Sequence, residues 1–282
     1  MTIKRYYSDT DRTRRTSDRV RATGMLIAVM AMGAATAAAD VEFARPADPV
    51  LRALYPALDP ATGFTPVAEP AVAVGRAVPR TQGDERCAPG FRIAEPRTKE
   101  WTLAGTTYLA VLYFVTTDSR PGVAAPCYKP EPWLCVLEGK DAAWRPVDCA
   151  AVRQDFVFPN EPSIDTAPFR LNERETAVGA RLRHQTATRF AEWANEALVL
   201  FRLHERRLTQ VLAVPIGRQE RDETDGSTCS RTLVVQVETT QTAGFHDWRV
   251  RTGRRTGRAR CATDPDPTGL YRWDGRGYVS AR

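Results

Sequence analysis

The stretch Ala197-Leu198-Val199-Leu200-Phe201-Arg202-Leu203-His204-Glu205-Arg206-Arg207-Leu208-Thr209-Gln210-Val211-Leu212-Ala213-Val214 sets two apolar runs around a charged tetrapeptide. Each run has strand length, and the polar residues between them, His204 to Arg207, predict a four-residue hairpin loop. The pattern recurs on both sides. Trp101 to Leu103, Gly105 and Tyr108 to Val115 read as strand, turn and strand. The second of these strands is apolar on both faces, as expected of one lying between two layers. Trp133 to Leu137 and Trp144 to Val147 flank the turn Glu138-Gly139-Lys140-Asp141, and Thr232 to Val237 pairs with His246 to Val250 across residues 239–244. Residues 173–183 offer the best place to argue for a helix but are read as part of a strand pair. Consecutive hairpins predict a mainly β protein, an antiparallel meander that is sandwich-like or a partial propeller, stabilised by disulfides.

The C-terminal Tyr271-Arg272-Trp273-Asp274-Gly275-Arg276-Gly277-Tyr278 places Asp-Gly between aromatic arms, a strong short hairpin signal. This segment resembles the closing Tyr-x-Trp-Asp-Gly-x-x-Tyr hairpin of uncharacterised exported bacterial β-proteins. The resemblance implies a β fold and brings no activity with it.

At the other end, a basic start, an apolar stretch from Met25 to Ala35 and Ala37-Ala38-Ala39 before Asp40 read as a signal peptide over residues 1–39. The apolar stretch falls short of the roughly 20 residues that span a bilayer, so no transmembrane segment is expected in the mature chain. Residues 40–86 carry seven prolines and read as an irregular arm. Within it, Val50 to Tyr55 are compatible with one helical turn whose Leu51, Leu54 and Tyr55 pack on the body. Residues 87–282 are read as a single antiparallel β domain.

The formal charge of +6 is concentrated in the leader, which has seven basic and three acidic groups, leaving 33 basic and 31 acidic groups from residue 40 onward. Only four of the cations are lysines, and composition alone names no acidic partner. The six cysteines, Cys87, Cys127, Cys135, Cys149, Cys229 and Cys261, all follow the leader. An even number in an exported chain predicts disulfides, and the spacings do not suit zinc. Six cysteines allow fifteen pairings. Cys229–Cys261, Cys135–Cys149 and Cys87–Cys127 are the pairs local geometry suggests, with strand register leaving other partners open.

The chain lacks the short motifs of hydrolases and metalloenzymes. A triad of His246, Asp247 and a serine such as Ser230 is conceivable, but a surface histidine beside a turn aspartate is the simpler reading. Asp222-Glu223-Thr224-Asp225-Gly226 and Asp264-Pro265-Asp266 are acidic but do not follow the calcium-loop pattern. Trp101, Trp133, Trp144, Trp193, Trp248 and Trp273 suit either a sugar-stacking face or core packing. The concentrated charge feature is Arg249, Arg251, Arg254, Arg255, Arg258 and Arg260, with Gly253 and Gly257 between them. It reads as a flexible basic loop able to meet phosphate or carboxylate groups. Nucleic acid is disfavoured by export and by the absence of interleaved aromatic residues. These features predict a periplasmic or secreted, non-catalytic binding protein that needs no cofactor or metal. Its expected partner is an envelope protein or an anionic envelope component. An envelope hydrolase with dispersed catalytic residues, or a periplasmic inhibitor or immunity protein, is the alternative.

Overall fold

The long apolar strand expected between two layers occupies that place in a computed structural model of the chain. The structure describes residues 49–59, 61–66, 70–73, 90–103, 105–117, 131–139, 143–154, 161–187, 192–221, 226–257 and 266–281. All of them belong to the unit Glu42–Arg282. Helix α1 (Pro49–Leu54) precedes a five-stranded sheet of β1 (Phe64–Thr65), β2 (Phe91–Leu103), β3 (Thr106–Thr116), β4 (Glu131–Glu138) and β5 (Arg145–Ala151). An eight-stranded sheet follows, made of β6 (Glu161–Arg170), β7 (Thr176–Ala187), β8 (Glu192–His204), β9 (Arg207–Arg221), β10 (Thr228–Thr242), β11 (Phe245–Gly257), β12 (Gly269–Trp273) and β13 (Tyr278–Ala281). Strand order equals chain order in both sheets, and every pairing is antiparallel. The result is a meander without a closed barrel.

Alternation along β3 and β4 explains the layering. Ala110, Leu112, Phe114, Leu134 and Val136 face Val178, Ala180, Leu182, Val199 and Phe201 of the second sheet, forming the core between the sheets. Leu109, Val111, Tyr113, Trp133, Cys135 and Leu137 point the other way, against Val50, Leu51, Leu54 and Tyr55. Part of the proline-rich arm is therefore a lid of the first sheet. Its Tyr55 hydroxyl lies 3.1 Å from that of Tyr113, with the two rings edge to face. Cys135 and Cys149 stand directly opposite each other on β4 and β5 and form a disulfide, as read from the hairpin. Cys229 is also disulfide-bonded. Cys87, Cys127 and Cys261 lie outside the described residues, as does the whole of the leader.

Two hairpins are tighter than the sequence reading. His204 and Arg207 pair in the ladder, leaving a two-residue turn of Glu205 and Arg206 with φ of 48° and 61°. Left-handed turns of this kind match the right-handed twist of the strands, and the ladder imposes one here without Asn or Gly. β10 and β11 likewise run up to a turn of Ala243 and Gly244 instead of the six-residue connection expected. Residues 173–183 contribute to β7 and its turn, with no helix.

The second sheet bends back on itself. β9 and β10 pair only through residues 217–221 and 228–232. Beyond that point the face of Val235, Val237, Trp248, Val250, Tyr271 and Trp273 turns onto Leu198, Leu200, Leu212 and Val214. The backbone amide of His246 donates to the Leu171 carbonyl at 2.8 Å, and the Trp248 indole N–H donates to the Arg170 carbonyl at 3.2 Å. Trp248 stacks on Tyr278, and Phe245 stacks on Trp273.

Candidate anion-binding face

The six arginines expected in a flexible loop are not arranged that way where they are described. Arg249, Arg251, Arg254 and Arg255 belong to strand β11 and are held in register with β10. Arg258 and Arg260 lie outside the described residues. The glycines that suggested a loop have strand roles. Gly253 is the extra residue of a bulge between the pairs Leu233–Thr252 and Thr232–Arg254. Gly257 sits at φ +94°, where a Cβ would come within 1.8 Å of the Thr228 carbonyl oxygen.

Side-chain alternation then sorts the charges. Val250 and Trp248 point into the core, so Arg249 and Arg251 stand on the opposite face, roughly 7 Å apart at the usual strand rise. Arg249 is paired with Glu238 on the same face. Directly across from Arg251 is Val234, an apolar side chain 42% exposed. Arg254 and Arg255 follow beyond the bulge. Arg255 faces Arg231, and this like-charge pair is relieved by Asp266, which accepts from Arg231 at 2.7 Å. The Thr268 amide, opposed by slight burial and helped by Arg231, holds the Asp266 carboxyl below its ordinary range. Arg251, Arg254 and Arg255 are exposed and have no acidic partner among the described residues. Each guanidinium keeps its donors available for a carboxylate or phosphate.

The groups considered for chemistry are differently employed. Asp247 is buried and accepts from Thr240 and Thr242 at 2.8 and 2.7 Å, while His246 Nδ1 lies 3.1 Å from the Glu238 carbonyl. Adjacent strand residues point to opposite faces, which explains why the two do not combine. Ser230 pairs with Thr256, far along the ribbon from the Gln241–His246 pair, so the triad is not assembled. Residues 222–225 and Asp264 lie outside the described residues, and among the described residues no cluster suited to a metal ion occurs. Trp133 belongs to the core under α1, whereas Trp248 and Trp273 belong to the folded-back part of the second sheet. The tryptophans thus form no single row.

One polar cluster is not legible as such in the sequence. Glu175 accepts two hydrogen bonds from Arg202 at 3.0 Å, one from Asn172 at 2.8 Å, and lies 2.7 Å from His204 Nδ1. Arg202 also lies over the Phe245 and Trp273 rings. Burial pushes the Glu175 carboxyl up, but the hydrogen bonds from Arg202, His204 and Asn172 outweigh it and hold it below the ordinary range. Arg202 engages both carboxylate oxygens, so the cluster ties the β6–β7 turn to β8 and to the folded-back aromatic residues. The only sequence signal was alternation: Arg202 and His204 share a face of β8, but their partner is 27 residues from Arg202.

No helix among the described residues is long and apolar enough to cross a membrane. No protein-family model, curated protein or solved structure matches the chain.

Proposed function

We propose that this protein is an exported, non-catalytic binding protein that holds an anionic envelope partner on the arginine-bearing face of β11. The observation that carries this reading is that Arg251 and Arg254, opposite Val234 and Thr232 on one face of a hydrogen-bonded strand pair, are exposed with no acidic partner among the described residues. A strand-mounted guanidinium has its backbone fixed before binding, so less ordering accompanies contact than for a loop. The leader, the cysteines and the resemblance of the C-terminal hairpin support export.

The test is retention of the mature protein on a phosphate-bearing matrix and on vesicles containing anionic lipid, at rising salt. Each exposed charge contact is worth about 1 kcal/mol or less, so replacing Arg251 and Arg254 with Ser should weaken binding several-fold with little change in stability. Binding should also fall as salt passes about 0.15 M, where the screening length is about 8 Å. Retention unaffected by salt or by the double replacement would overturn the reading.

A further inference from the structure

Sheet edges are where a chain can accept another strand, and natural proteins blunt them with prolines, bulges, charges or short strands. Most edges here follow that rule. β6 carries Pro162 and Pro168, β5 carries Pro146, and β1 and β13 have two and four residues. The free part of β2 has a bulge between Ala94 and Arg97 and then Arg97, Lys99 and Glu100. β9 has Pro215, and Gly277 approaches so closely that a Cβ there would lie 2.9 Å from the Val211 carbonyl oxygen.

β10 is the exception. It leaves β9 after Thr232, and among the described residues nothing pairs with the edge opposite β11 from Leu233 to Val237. The sequence there is Leu-Val-Val-Gln-Val, three of its five residues β-branched and none a proline. Val234 is among the few large apolar side chains exposed in the described structure.

We propose that this open edge of β10 accepts an extended acidic segment of a partner protein as an added strand. The inference rests on the arginine face described above and narrows its anionic partner to a polypeptide. A strand on this edge would lie about 5 Å from β10 and about 10 Å from β11. Arg251, opposite Val234, can reach over that short side chain to its carboxylates. A second copy of this chain would bring two rows of arginine onto one face, so charge favours an acidic partner over self-pairing.

The probe is an acetylated octapeptide of alternating Glu and Val, titrated into the mature protein by fluorescence anisotropy. Two methylated versions serve as controls, one N-methylated at every Glu and the other at every Val. An added strand uses only one of its edges, so one methylated peptide should bind like the parent and the other at least tenfold more weakly. Arg251→Ser should weaken the parent peptide several-fold, with the far-ultraviolet circular dichroism unchanged. Equal binding of both methylated peptides overturns strand addition, and so does failure of the peptide while anionic vesicles still bind through the arginines. Both of those outcomes leave the arginine reading standing. If neither the peptide nor the phosphate matrix nor the vesicles bind, both readings fall together.

Discussion

Replacing Glu175 with Gln removes one negative charge while keeping nearly the same shape, and it does so where three side chains converge. A hydrogen bond to a charged group contributes about 1.5–3 kcal/mol net, and removing one partner of a fully buried ion pair costs about 3–5 kcal/mol. Glu175 and Arg202 keep 16% and 19% of their side-chain surface exposed, so water relieves part of the stranded charge. Gln can still accept from Arg202. The expected loss is about 2 kcal/mol at pH 7. The sign with pH follows from the depressed carboxyl: its native pKa lies below its unfolded value, so the stabilisation is complete above the unfolded value near 4.3 and disappears as pH falls through the native one. Wild type should therefore lose its advantage over E175Q in strong acid, where both side chains are neutral. Urea unfolding followed by tryptophan fluorescence at pH 7 and near pH 3 measures this directly. A gap of the same size at both pH values, or one under about 0.5 kcal/mol at pH 7, would refute the assignment of Glu175 as a charged anchor of the second sheet.

The double replacement C135A/C149A opens a loop with a sequence separation of 14 and should cost about 3 kcal/mol, read as a lower urea midpoint under non-reducing conditions. An unchanged midpoint would show that the β4–β5 pairing needs no crosslink. Phe201→Ala empties a fully buried site between the two sheets and should cost about 3–5 kcal/mol in the same assay. A loss below 1 kcal/mol would mean that the sheets do not share that core.

Hairpins were legible in the sequence because strand alternation and turn chemistry are local. The 133–149 hairpin, the 197–214 hairpin and the Asp274-Gly275 turn all emerged in place, the last with Asp274 accepting from the amides of Arg276 and Gly277 at 2.8 and 2.9 Å. Local rules overestimated loops wherever charge or glycine was dense. Polarity alone assigns His204 and Arg207 to a loop, yet an exposed strand position accepts a polar residue as readily as a loop does. Residues 251–257 read as a loop for the same reason: all are exposed, so no apolar alternation marks the strand, and the neighbouring β10 ladder defines it. The Glu175 cluster depends on contacts between residues far apart in the chain, which no local pattern encodes.

The position of the arginines follows from how the second sheet divides its work. β7 and β8 use both faces for packing: Val178, Ala180, Val199 and Phe201 meet the first sheet, while Ala177, Leu198 and Leu200 meet the folded-back strands. β10 to β13 present their core apolar side chains on one face, because after bending back they lie on the far side of that core from the first sheet. Val234, Arg249, Arg251, Arg272 and Val279 are accordingly exposed on the outer side. A charge placed on β7 or β8 must find a partner or disrupt a layer, as Arg181 does with Asp165 and Glu196. On the outer side of β11 a charge carries no such requirement. Substitutions at Arg251 and Arg254 should therefore change binding without changing folding, whereas equivalent changes at Arg181 or Arg202 should do the reverse.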